Sequence, residues 1–160
     1  MVSSSVLVPK RKFLRLDDIN ENAVVIAERM LADDYHPLFI LAIGRGGIIP
    51  ASLIAYHYGE MARQHPELST IYAWSYQIDG YMHGELKVDW PSPAGIAQLV
   101  AQRDKVLIID DICDSGKTLQ AFQGMFPQAK TAVLIHKADA DFTPTYYASV
   151  DSHGKKYWYV

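Results

Sequence analysis

Asp110, Asp111, Asp114, Ser115, Gly116, Lys117 and Thr118 lie within nine consecutive positions and combine three carboxylates with a short polar run. Ser115 to Thr118 has the composition of a phosphate cradle, in which backbone N–H groups at the start of a helix face an anion. Carboxylates beside a phosphate repel it unless they hold a cation, sugar hydroxyls or a proton. An ordinary strand-to-helix turn would also use Asp or Ser as a cap, but a cap needs one such residue and not three acids. Gly116-Lys117-Thr118 matches the end of a nucleotide-binding P-loop. The first glycine of that motif would fall at position 111, which is Asp111, so the P-loop reading fails.

The flanking residues say how this run is held. Lys105 precedes Val106 to Ile109, an apolar β-branched run short enough for a buried parallel strand, and Leu119 to Met125 resumes a helical pattern. Strand, loop and helix in that order put the polar run at the carboxyl end of a strand, where open α/β sheets bind ligands. Leu38 to Ile43 reads as another buried strand, followed by the turn Gly44-Arg45-Gly46-Gly47 and a helix with Pro50 in its first turn. Ile49, Leu53, Ile54, His57 and Met61 share one face of that helix, and His57 receives no catalytic role.

Further along, Ile71 to Tyr76 and Thr131 to Ile135 are expected strands. Asp17 to about Asp33 is an expected helix with Asp17 or Asp18 as its cap. Alternating strands and helices from Leu38 to Ile135 give a doubly wound parallel α/β sheet. The stretch 77–95 is too long for an ordinary connector and suits a mobile lid. Residues 1–12 read as an extended lead-in, with Lys10-Arg11-Lys12 a solvated arm, and the aromatic tail from Thr145 to Val160 as short edge strands.

Arg45, Gly46 and Gly47 follow the first buried strand, so they too belong at the carboxyl edge. Glycines let backbone N–H groups approach an anion, and arginine grips one in a bidentate fork. A Gly-rich turn alone is commonplace. Paired with a second cradle on another strand end, it suits the other end of a doubly phosphorylated ligand.

Composition narrows the field. With 160 residues, 49% hydrophobic, the chain supports one domain with a full core. A net charge of −3 without a long basic run speaks against a nucleic-acid or membrane surface. Cys113 is the single cysteine, which excludes an internal disulfide and fits a reducing compartment; its expected role is a small space-filler. His83 has no second histidine or acid at ligand spacing. No leader or membrane span is evident, so a cytoplasmic location is the expectation.

The run from Val106 to Thr118 resembles the phosphoribosyl-diphosphate (PRPP) signature of type I phosphoribosyltransferases: an apolar strand, two acids, two spacers, then Asp, Ser, Gly, a variable residue and Thr. The resemblance extends from about Leu38 to Trp158 and is nearest to the bacterial hypoxanthine and xanthine-guanine enzymes. It implies a single domain with a small hood built by the terminal segments, here 138–160 together with the lead-in. It also implies a loop after Ser75 and Tyr76, reaching Lys87, that closes over PRPP. Asp110, Asp111, Asp114 and Ser115 to Thr118 would bind PRPP, with Asp110 and Asp111 as ligands of Mg²⁺. Arg45 to Gly47 would bind pyrophosphate, in a loop that often holds a non-proline cis peptide. Asp114 would take the proton from purine N7, Lys137 would donate to the oxygen at purine C6, and Trp158 and Tyr159 would stack on and border the base.

The activity so implied is phosphoribosyl transfer from PRPP to hypoxanthine, guanine or xanthine by a homodimer or homotetramer. The resembled enzymes usually continue past the aromatic with a Pro-Trp-containing segment, whereas this sequence stops at Val160, which leaves the reading of the purine 2-position open. Two rivals stand beside this: transfer to adenine, uracil or orotate, and a non-catalytic sensor of PRPP or nucleotides.

Overall fold

A computed structural model describes residues 10–74, 77–78, 81–82, 87–89, 99, 101–153 and 157–159. Strand β1 (Lys10–Lys12) leads into helix α1 (Leu16–Ala32). Strand β2 (Phe39–Gly44), helix α2 (Ile48–Ala62) and strand β3 (Glu67–Trp74) follow. Three short strands come next: β4 (Gln77–Ile78), β5 (Tyr81–Met82) and β6 (Lys87–Asp89). The signature forms strand β7 (Val106–Cys113) and helix α3 (Lys117–Met125), and strands β8 (Lys130–Lys137), β9 (Tyr146–Asp151) and β10 (Tyr157–Tyr159) close the chain.

The central sheet has the order β6-β3-β2-β7-β8-β9. All pairings are parallel except that of β6, which runs antiparallel to β3 with Lys87 opposite Trp74. Alternation along the central strands sends side chains to two cores. Ile40, Ala42, Leu107 and Ile109 pack with Ala23, Ile26, Met30 and Ile54 of α1 and α2, while Leu41, Ile43, Val106 and Ile108 pack with Leu119 and Phe122 of α3. This is the two-faced burial that makes a parallel strand apolar throughout. The doubly wound α/β architecture is therefore present. Its chain order reverses between β2 and β7, so the switch-point crevice lies between the turn after β2 and the acids of β7.

Several expectations shift. The first helix starts at Leu16 with Arg15 as its N-cap, not Asp17 or Asp18. Asp18 instead accepts the Arg15 backbone N–H at 3.0 Å, and both acids sit in the first turn, where the helix dipole favours negative charge. Strand β3 begins four residues before Ile71, because Glu67 pairs with Phe39; its polar opening, Glu67 to Thr70, hides a strand from an apolar-run criterion. Lys10 to Lys12 is an ordered strand as well as a lead-in: it pairs in parallel with Tyr157 to Tyr159, forming the small terminal sheet, with Lys12 exposed. The tail divides, Tyr146–Asp151 being the edge of the central sheet and Tyr157–Tyr159 joining the lead-in. Within the stretch read as a lid, β4 pairs with β5 and Lys87 lies in the sheet; Ser75, Tyr76 and His83 lie outside the described residues.

Candidate active site

Glycine decides how the site closes up. At Gly47, the N-cap of α2, a Cβ would stand 2.5 Å from the Ile109 carbonyl oxygen and 2.7 Å from that of Ile43. At Gly46 a Cβ would meet the Asp111 carboxylate, 2.3 Å from Oδ2. The turn after β2 is thus pressed against the end of β7, with Arg45 exposed beside Gly46 in the chain. The Gly44–Arg45 peptide is cis. A cleft of about 130 Å³ runs from the turn and Asp111 to Leu14, Ile19 and Leu134.

The two acids bend back on their own strand. Asp110 Oδ1 accepts the Asp111 N–H at 2.9 Å, and Asp111 Oδ1 accepts the Ile112 N–H at 2.8 Å. Burial pushes the Asp110 carboxyl well above the usual carboxylate range, and the neighbouring Asp111 charge and a side-chain hydrogen bond to Asp111 add to this. Asp110 is therefore inclined to hold its proton or to accept a nearby cation.

The cradle follows. Gly116 has φ +82°, a left-handed backbone that glycine adopts without cost, and a Cβ there would lie 2.4 Å from Phe142 Cβ. Phe142 backs the loop a second way, its carbonyl accepting from Cys113 Sγ at 3.3 Å. The Asp141 N–H donates to Ser115 O at 3.2 Å, and the Lys117 N–H to Ser115 Oγ at 3.4 Å. A cleft of about 140 Å³ here is lined by Asp110, Cys113, Asp114, Ser115, Gly116 and Thr118.

Cys113 is itself buried, and burial followed by the charges of Asp110 and Asp114 pushes its thiol up to about 11. Below that value the thiolate fraction falls tenfold per pH unit. At pH 8 iodoacetamide should therefore alkylate the folded protein about two orders of magnitude more slowly than the chain in denaturant. Equal rates would mean that the β7–α3 junction opens readily.

One cation reaches into this site from the next strand. Lys137 ends β8 with 4% exposure, and its Nζ stands 2.5 Å from Asp114 Oδ1. Asp110, Asp111, Asp114, Ser115 to Thr118, Arg45 to Gly47 and Lys137 are thus gathered at one sheet edge. Trp158 and Tyr159 lie in β10, paired with Arg11 and Lys12, in the terminal sheet. Lys87 is in β6 beyond β3, at the far edge of the central sheet. One contributor escaped sequence reasoning: Phe142, which backs the loop at Gly116 and carries no local signal.

The family model of the phosphoribosyl transferase domain matches residues 14–153. A xanthine-guanine phosphoribosyltransferase of Ruegeria sp. (strain TM1040) is 28% identical over 133 residues, which cover 78% of this chain and 70% of that protein. A purine phosphoribosyltransferase of Pyrococcus horikoshii Ot3 superposes with a TM-score of 0.72 at 23% identity, covering 94% of this chain and 91% of that one. The Helicobacter pylori xanthine-guanine-hypoxanthine phosphoribosyltransferase superposes with a TM-score of 0.70 at 17% identity, covering 93% and 92%. With the matched segment spanning the turn after β2, the acids of β7 and the cradle, the chain belongs to the phosphoribosyl transferase domain family.

Proposed function

We propose that this protein transfers the phosphoribosyl group of PRPP to a 6-oxopurine, forming a nucleoside 5′-monophosphate and pyrophosphate, as a purine salvage enzyme. The observation that carries the reading is the buried Lys137 ammonium against the Asp114 carboxylate, beside the cradle. A donor and an acceptor side by side match the O6 and N7–H of an oxopurine, whereas the 6-amino group of adenine would face the ammonium donor to donor.

Ser115 to Thr118 hold the 5-phosphate on the N-terminus of α3, and Arg45 to Gly47 hold the pyrophosphate. Purine N9 attacks C1′ of the ribose as the bond from C1′ to pyrophosphate breaks, and Asp114 takes the N7 proton. A carboxylate suffices as base because N7–H becomes acidic as N9 bonds to the cationic sugar. Arg45 and the turn N–H groups stabilise the charge growing on the leaving group.

Asp110 and Asp111 suit a hard divalent cation. Burial, then the neighbouring Asp111 charge, raises the Asp110 carboxyl, and no group of three His, Cys, Asp or Glu gathers for a metal among the described residues. Two carboxylates with substrate oxygens and water are a usual Mg²⁺ environment. Bound there, Mg²⁺ would neutralise pyrophosphate charge. Ser75, Tyr76 and Lys87 are proposed for the closing segment, and Trp158 and Tyr159 for the base-stacking wall. We further propose a single catalytic domain acting as a homodimer or homotetramer in the cytoplasm; no helix among the described residues is long and apolar enough to cross a membrane.

The test is pyrophosphate release from PRPP and Mg²⁺ with hypoxanthine, guanine, xanthine, adenine, uracil and orotate supplied singly. Turnover confined to the oxopurines is expected. Turnover of adenine or a pyrimidine overturns the role of Lys137, and PRPP binding without any turnover leaves a sensor.

A further inference from the structure

The turn Gly44 to Gly47 leaves β2, whose neighbours in the sheet are β7 and β3. On the β7 side it is held by the close approaches of Gly46 and Gly47. On the other side Tyr72 of β3 is paired with Gly44 in parallel register, which sends both residues to the same face. Gly44 brings no side chain, and the tyrosine ring takes the space. A Cβ at Gly44 would stand 2.9 Å from Tyr72 Cε1 and 3.0 Å from Cδ1.

Burial does not account for that ring. Tyr72 is 46% exposed, whereas Ile71 before it is fully buried in the core beneath α3. A glycine in a strand has the most backbone freedom and nothing of its own to pack, and an aromatic side chain laid across it from the next strand restores the packing. Gly44 is the last residue of β2, directly before Arg45, so its placement sets where the turn begins.

We propose that Tyr72 is a positioning residue for the turn assigned above to pyrophosphate. Its ring fixes Gly44, and through Gly44 the bearing of Arg45 and Gly46 on the diphosphate end of PRPP. The role belongs to the ring, because ring carbons make the approach. This inference rests on the PRPP reading and adds to that site a residue of β3, outside both the signature and the turn.

The experiment measures affinities for inorganic pyrophosphate, PRPP and GMP in Mg²⁺ by calorimetry. It compares the unaltered protein with Tyr72→Ala, Tyr72→Phe and Gly44→Ala. GMP engages the cradle without the turn and serves as the internal control. Tyr72→Ala should bind pyrophosphate and PRPP about ten- to hundredfold more weakly, the cost of misplacing a binding group by about 1 Å. Its affinity for GMP should stay within about twofold. Tyr72→Phe should match the unaltered protein. Gly44→Ala, whose methyl displaces the ring, should repeat the selective loss.

Unchanged pyrophosphate affinity in Tyr72→Ala or Gly44→Ala overturns the proposal. Equal weakening for all three ligands overturns it too, since that is a general loss of structure. A Tyr72→Phe as weak as Tyr72→Ala does the same by assigning the effect to the hydroxyl. Binding and turnover separate the two readings. The selective loss without turnover of any base removes phosphoribosyl transfer and leaves the role of Tyr72 standing. An unaltered protein that binds neither pyrophosphate nor PRPP removes both.

Discussion

Asp114→Asn should lower kcat by about two to four orders of magnitude, the usual worth of a positioned proton acceptor. KM for PRPP should change little. The amide keeps an oxygen to accept from Lys137 Nζ, now 2.5 Å from the carboxylate, so the lysine stays placed while the site loses its base. Asp114 has a side chain 55% exposed, on a loop outside both cores, so the folded protein should tolerate the change. Steady-state kinetics with saturating PRPP and oxopurine separates these effects. A kcat within about twofold of the unaltered protein would take Asp114 out of the chemistry and leave it a partner for Lys137.

Two neighbouring glycines should fail in different ways when given the same methyl group. In Gly47→Ala the new Cβ meets two backbone carbonyls, Ile109 O and Ile43 O, at 2.5 and 2.7 Å, and neither can rotate away. Relief requires lifting the start of α2 off β7, which should cost stability of about 1–3 kcal/mol and widen the switch-point crevice. In Gly46→Ala the clash is with the Asp111 carboxylate, the mobile end of a side chain. That variant should keep most of its stability but lose PRPP affinity, because the acid leaves its position beside the turn. Denaturant melts and PRPP titrations on both variants check the contrast. Equal destabilisation of the two would show that the turn and β7 are less closely held than these approaches require.

The site was legible in the sequence where it is local. Val106 to Thr118 carries strand, acids, cradle and helix start in one unbroken run, and hydrogen bonds that link residues one or two apart, such as those of Asp110, Asp111 and Ser115, follow from residue type. The turn Arg45 to Gly47 was legible for the same reason. What lay hidden depends on register between distant strands. The polar start of β3 is a strand because it pairs with β2, and the lead-in is ordered because β10 runs beside it. Neither partner is visible in a local pattern.

Lys137 stood out as a lysine ending an apolar strand, yet nothing in its neighbours says that it meets Asp114. The pairing of Cys113 with His136 puts the residues after them side by side, and the next pairing brings Asp151 level with both. Phe142 enters the site only because the chain after β8 folds back on the cradle, filling the space where Gly116 lacks a Cβ. The amino-acid sequence by itself determined the α/β architecture, the polar strand-to-helix loop and the acids, because apolar periodicity and loop composition act over a few residues. Tertiary structure alone decided which acid meets the lysine and how near the turn comes to Asp111. Those distances are set by strand register and by close packing at glycine, which only the assembled sheet defines.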